Sequence, residues 1–251
     1  MRTRLILLII ICVLIPAVIV FSVFYYKRGR QDQFDEYILK HSKLENEPGF
    51  GPVDPAIVKA IIAIRTDFTR FRTGSNGESG LMFIPKEGVE KFIEFHGHEN
   101  FIVRNLENEL ELGYVCLNRS FPNHDGAEKV FSRSGNCPVC DRATVRAIFD
   151  WETNIQIGIW YLAYVTEYLR EITEDLDDEQ LTYYAIVSYS YGLEMIEKAS
   201  RGFTDFEQLD RLLKDEAKNI ERIKEKADEF RPRLKKKAQK LENRPSHTGG
   251  S

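Results

Sequence analysis

The 251-residue chain lacks the glycine-rich signatures, of Walker or Rossmann type, that cradle nucleotide phosphates. It also lacks a basic excess. Residues 1–30 hold five basic residues (Arg2, Arg4, Lys27, Arg28, Arg30) and no acid, which leaves 30 basic against 39 acidic residues in the remainder. A body that acidic is poorly suited to gripping DNA or RNA through phosphates, and no nucleic-acid partner is expected. Cysteine is scarce, at four residues, and only one Cys-x-x-Cys pair occurs. The second pair that would complete the strongest zinc signature is absent. Signal-peptide features are missing too. No small-x-small cleavage site follows the N-terminal apolar run, and Ile11 precedes Cys12 where a lipoprotein signal needs a small residue.

What is present begins with that apolar run. Leu5 to Tyr25 is 21 residues without a charge, long enough to cross a bilayer as a helix, and Pro16 is tolerable there. Residues 1–30 therefore read as an uncleaved membrane anchor. Counting positive charges on its two sides comes out near balance, slightly favouring a cytoplasmic body. The chain is 43% apolar, enough for one good-sized core.

Residues 31–53 are polar, with Pro and Gly near their end, and read as a linker. Asp54 is suited to cap a helix and Pro55 to open it, and Ile57, Val58, Ile61, Ile62 and Ile64 give that helix a broad apolar face. It should end near Thr66 to Phe68, followed by a polar, Gly-rich loop over 69–79. A helix is expected over 86–99. From about 100 to 142 the pattern breaks up, with possible short strands at Phe101–Val103 and Tyr114–Leu117, and reads as an irregular insertion. Helices are expected again over 143–172 and 178–199. Thr204 and Glu207 form a capping box before a long helix whose seam runs Phe206, Leu209, Leu213, Ile220, Ile223, Ala227, Phe230, Leu234 and Leu241. Pro232 is expected to break or kink that helix, which favours packing within the chain over a coiled coil with a partner. Residues 201–242 thus read as C-terminal helices on the domain, and 243–251 as a disordered tail.

Four separated stretches then fall into an order. Arg65-Thr66-Asp67-Phe68 ends a helix. Fifteen residues on comes Gly80-Leu81-Met82-Phe83. Later come Asn154-Ile155, Gly158 and Tyr161-Leu162, and then Ser188-Tyr189-Ser190-Tyr191-Gly192. This series resembles the lytic transglycosylases of the soluble-lytic-transglycosylase type. That family's pattern is Glu-Ser-x-Phe, Gly-Leu-Met-Gln, Asn-Ile-x-x-Gly-x-x-Tyr-Leu and Ala-Tyr-Asn-x-Gly. The resemblance spans roughly residues 54–200. It implies a mostly α, goose-lysozyme-like domain with the irregular Cys-containing insertion, set after an N-terminal transmembrane helix. It also implies a single-pass protein of the cytoplasmic membrane, its body on the periplasmic or cell-wall side.

The family cleaves peptidoglycan glycan strands with one Glu that first protonates the leaving oxygen and then acts as base, so that a 1,6-anhydro ring forms. The chain departs from the pattern at the residues that matter. Arg65 holds the acid position, and a guanidinium cannot exchange protons near neutral pH. It also sets a cation where oxocarbenium-like charge would develop. Phe83 stands where the family has Gln, and Ser190 where it has Asn. The nearest acid that could substitute is Glu78, thirteen residues after Arg65. It could serve as a relocated acid, as a counter-ion to Arg65, or as a solvated loop residue. Glu87 and Glu152 are remoter candidates, and Asp67 should point away. Gly80, Met82, Phe83, Tyr161, Tyr189 and Ser190 are the substrate-binding candidates, although Gly158, Tyr161 and Leu162 also suit plain helix packing.

Cys137 and Cys140, with Cys116 upstream and His124 nearby, supply ligand types for a structural zinc ion. A disulfide from Cys116 to Cys137 or Cys140, or neither arrangement, stays open. No cofactor is expected for catalysis. Two functions follow as expectations: a silent or very weak relative that binds glycan strands or an envelope protein partner, favoured by the lost polar groups, or an active enzyme using Glu78.

Overall fold

A computed structural model describes residues 29, 31–69, 78–97, 150–173, 176–193 and 214–243. The expected membrane span at 5–25, the insertion with its possible strands, the Cys116, His124, Cys137 and Cys140 set, and the capping box at Thr204 lie outside the described residues. Among the described residues the chain is mostly helical, with six helices and no β-strand. No described helix is long and apolar enough to cross a membrane, and no described group of His, Cys, Asp and Glu could hold a metal ion. The chain divides into two compact units, Met1–Glu36 and Tyr37–Ser251. The packing below concerns the second.

The first helix, α1 (Asp35–His41), falls inside the stretch that reads as a linker from sequence. Its polar composition is misleading: Glu45, Asn46, Pro48 and Gly49 are exposed turn residues, whereas Ile38 and Ser42 are buried. Val53 N–H donates to the Ser42 carbonyl at 2.9 Å, which folds the end of the stretch back onto its start. Tyr37 stands edge-on to Trp151 with ring centroids 4.2 Å apart.

At the end of α1, Lys40 Nζ and His41 Nε2 each lie 3.7 Å from the Glu152 carboxylate. Burial pushes the His41 pKa below its ordinary 6.5, the Lys40 charge adds to this, and Glu152 opposes it. The folded chain thus takes up this proton less readily than the unfolded chain. The His41 contribution to stability is therefore complete above about pH 6.5 and is lost as pH falls towards the lower folded pKa. Denaturation of wild type and His41→Gln at several pH values tests this. The variant should lose less stability than wild type on acidification below about pH 6.5, and parallel profiles would exclude the effect.

The second helix, α2 (Pro55–Thr66), starts as its sequence directs, with Asp54 Oδ1 accepting from Ala56 N–H at 2.8 Å and Pro55 in the first turn. Ala56, Ile57, Val58, Ala60, Ile61 and Ile62 are buried. The next three helices are α3 (Lys86–His96), α4 (Trp151–Ile172) and α5 (Asp178–Tyr191), and α4 packs against both α3 and α5. Trp160 of α4 is 1% exposed, and the rings of Phe50, Phe92, Phe95, His96 and Tyr164 surround it.

Two helices stop earlier than their patterning suggests. Gly97 ends α3 at φ +69° and Gly192 ends α5 at φ +87°, a region glycine enters without steric cost.

The long helix α6 (Lys214–Glu242) lies along α2, burying Ile220, Ile223, Ala227, Phe230 and Leu234. It runs through Pro232 without ending. Proline removes one backbone donor there, but Phe230 and Leu234 on either side are anchored in the core, and Arg231 reaches Asp54 at 2.8 Å. The buried Lys59 of α2 sets its Nζ 4.8 Å from the Phe230 ring centroid.

Candidate functional site

The four stretches that define the sequence pattern meet at one loop. Ser79 and Ile84 exchange backbone hydrogen bonds at 3.0 and 2.9 Å, closing a tight turn over Gly80-Leu81-Met82-Phe83. Gly80 and Phe83 both have positive φ, at +81° and +56°. The second is a conformation that few non-glycine residues adopt, so it is maintained by its surroundings.

Met82 is held from three directions. Its N–H donates to Asn154 Oδ1 at 2.7 Å, while Asn154 Nδ2 donates to the Ser79 carbonyl at 3.2 Å. Its carbonyl accepts from the Tyr189 hydroxyl at 3.0 Å. Its side chain fills the space that Gly158 leaves open, since a Cβ there would stand 2.5 Å from Met82 Sδ and 3.0 Å from Met82 Cβ. Thr66, the last residue of α2, adds a fourth tie through its Oγ1, 2.8 Å from the Leu81 carbonyl and 2.9 Å from that of Ile62. Gly158→Ala is expected to cost about 1–3 kcal/mol despite alanine's better helix propensity. Met82→Ala in the same chain should recover most of that increment in a double-mutant cycle, and additive losses would refute the contact.

Arg65 lies in the last turn of α2 and is half-buried. Its Nη2 donates to Ser190 Oγ at 2.6 Å, and Ser190 Oγ donates to the Ile186 carbonyl at 2.8 Å. Two of the three departures from the sequence pattern, Arg65 and Ser190, are therefore direct partners. Asp67, exposed and in the left-handed region, caps α2 and points out of this arrangement.

Tyr161 and Tyr189 do not present open faces. Both are core residues, 0% and 2% exposed, with ring centroids 5.7 Å apart. Burial pushes both hydroxyls well above the usual tyrosine range. The Glu87 carboxylate adds to this for Tyr161, and the Arg65 charge opposes it for Tyr189. As aromatic platforms for sugar they are closed by protein: Tyr189 supports the Met82 loop through its hydroxyl, and Tyr161 packs on Tyr189 and Gly88. Gly80 and Met82 are likewise buried, whereas Phe83, Ser190 and Glu78 are half-buried.

Glu87 is nearer to this assembly than its place in the sequence suggests. It lies in the first turn of α3 and its carboxylate accepts from Leu193 N–H at 3.2 Å. A Cβ on Gly192 would meet it at 2.4 Å. Gly88, next in line, leaves room for the Tyr161 ring, 2.7 Å from where a Cβ would be. The signal that could have found both is the Glu-Gly pair at the start of α3, coupled to Tyr161 and Gly192. Glu152 belongs to the Lys40 and His41 contact instead. A separate cleft of about 330 Å³ opens between the residues leading into α2 and the facing sides of α4 and α5, lined by Val53, Ile57, Leu162, Leu181 and Ala185 among others.

Chemically, the end of α2 offers a fixed cation with no proton to give, near the Tyr189 hydroxyl that burial keeps protonated. Two carboxylates, Glu78 and Glu87, stand close to the loop in sequence or in space. No protein-family profile, curated protein or solved structure matches the chain.

Proposed function

We infer that the chain is a membrane-anchored, lysozyme-like helical domain that engages peptidoglycan glycan strands without cleaving them. The anchor is residues 5–25, and the body faces the cell-wall side. The observation that carries this reading is the Arg65–Ser190 contact at the junction where all four sequence stretches meet. A spatial junction of Arg65, Met82, Asn154, Gly158 and Tyr189 supports the resemblance beyond their order in sequence. The fixed guanidinium supports silence, because a general acid must release and recover a proton. Cell-wall glycan is the ligand the resemblance implies, and a protein partner in an envelope complex is the competing occupant. The Cys116, His124, Cys137 and Cys140 set would staple the insertion, through zinc or a disulfide, and takes no part in the chemistry.

The test uses the full chain in phosphatidylcholine nanodiscs, mixed with purified peptidoglycan. Pelleting reports binding, and mass spectrometry reports 1,6-anhydro products. Binding without products is expected. Failure to pellet would overturn the glycan reading, and products that vanish in Glu78→Gln would establish Glu78 as a relocated acid.

A further inference from the structure

The surface of α6 changes character along its length. In its middle turns, charges of both signs pair: Lys224 with Glu179 at 2.7 Å, Lys226 with Glu229 at 2.5 Å, and Arg231 with both Asp54 and Asp228. Between Arg231 and Glu242 there is no acid. Arg233, Lys235, Lys236, Lys237 and Lys240 follow with no Asp or Glu among them. Arg233, Lys235, Lys236 and Lys240 are exposed, and none has an ion pair among the described residues. Leu234 is 2% exposed, which fixes the rotation of this segment and turns those four cations to solvent.

This face is unfavourable for the helix that carries it. Arg233/Lys236 and Lys236/Lys240 are like-charged neighbours three or four residues apart, and such pairs oppose the helix. Attraction to the negative end of the helix dipole reaches only the last turn. The body of the protein is acidic, yet it places no described carboxylate against these four side chains. A convex, unpaired cationic face at one end of an otherwise charge-paired helix is complementary to an extended anionic surface.

We propose that the face of α6 from Arg233 to Lys240 docks on an anionic phospholipid bilayer surface. The choice of a bilayer rests on the membrane span expected over residues 5–25, which keeps the chain at a lipid surface; it does not depend on glycan binding. The contact is peripheral and electrostatic, because Leu234, the large apolar residue of this segment, is buried in the protein core. The exposed acids Glu221, Glu225 and Glu229 on the preceding turns oppose a long polyanion that would follow the helix, whereas a flat surface meets only the helix end.

The experiment uses the full chain in phosphatidylcholine nanodiscs, mixed with large vesicles of phosphatidylcholine alone or of phosphatidylcholine with phosphatidylglycerol. Co-sedimentation should occur with the anionic vesicles alone, and raising the salt should release the protein. The combined variant Arg233→Gln, Lys235→Gln, Lys236→Gln and Lys240→Gln should bind at least about tenfold more weakly, since each cation near such a surface contributes about 1 kcal/mol. Should that variant lose helicity by circular dichroism, the single reversal Lys236→Glu carries the same test. Lys218→Gln with Arg222→Gln, on the upstream turns, should leave binding unchanged. Equal sedimentation with both vesicle types, or full binding by the Lys236→Glu chain, overturns the proposal. So does tighter binding to duplex DNA than to anionic vesicles at the same salt. Carbonate extraction separately tests the span, so its failure is distinguishable from failure of the face.

Discussion

Asn154→Ala is expected to destabilise the protein by about 1.5–4.5 kcal/mol. Asn154 is 0% exposed, and its amide satisfies two buried backbone groups of another segment, the Met82 N–H and the Ser79 carbonyl. Removing it strands the Met82 N–H, at about 1–3 kcal/mol, and takes from the Ser79 carbonyl one of its two hydrogen bonds, at about 0.5–1.5 kcal/mol, since Ile84 N–H still reaches that oxygen at 2.9 Å. Asn154→Leu keeps most of the volume while deleting the polar function, so its loss should be of similar size. Chemical denaturation of the full chain, followed by far-UV circular dichroism, reads both. A Leu variant as stable as wild type would show that the site needs shape and not hydrogen bonds. The larger consequence concerns the loop: with Asn154 gone, the positive φ values of Gly80 and Phe83 lose a support, and proteolysis should begin near Ser79–Ile84.

Trp160→Ala should cost about 3–5 kcal/mol. The indole is the centre of the aromatic cluster, with ring centroids 5.2 Å from Phe92, 5.3 Å from Phe95 and Tyr164, 5.4 Å from His96 and 5.8 Å from Phe50. It joins α3 and α4 to the turn that follows α1. Its Nε1 is buried without a hydrogen-bond partner among the described residues, so Trp160→Phe loses no polar contact there and should cost much less than the alanine change. A cost for Trp160→Ala below about 1.5 kcal/mol would mean that the neighbouring rings collapse into the space.

The helices were legible wherever local chemistry and apolar periodicity agreed. Asp54 and Pro55 announce α2, and the run of isoleucines that follows gives it one buried side. What periodicity does not carry is where a helix yields to a contact from elsewhere. The sequence pattern continues past Tyr191, but Leu193 N–H goes to Glu87, and Gly192 turns the backbone there. Pro232 reads as a break or a kink, and the helix runs on through it with Phe230 and Leu234 buried on either side. Polar composition also concealed α1, because its short apolar run Tyr37-Ile38-Leu39 is followed by the exposed turn residues Glu45, Asn46, Pro48 and Gly49. At the site, the order of the four stretches suggested a junction but not which polar tips would be spent inside it. Tyr161 and Tyr189 look like sugar platforms in one dimension, and only the structure shows that both are buried and that the Tyr189 hydroxyl is spent on the Met82 carbonyl.

The hydrogen bond between Arg65 and Ser190 changes how the departures from the family pattern should be counted. Set side by side in the sequence, an arginine for a glutamate and a serine for an asparagine are two independent losses. In space they are a single exchange. A guanidinium that reaches to 2.6 Å of the hydroxyl leaves no room for a longer side chain at 190, and a glutamate at 65 would take away the donor that Ser190 now receives. Neither residue can be exchanged alone without leaving its partner mismatched. Placing a carboxylic acid at position 65 is thus not a matter of one point change, because position 190 would have to move with it.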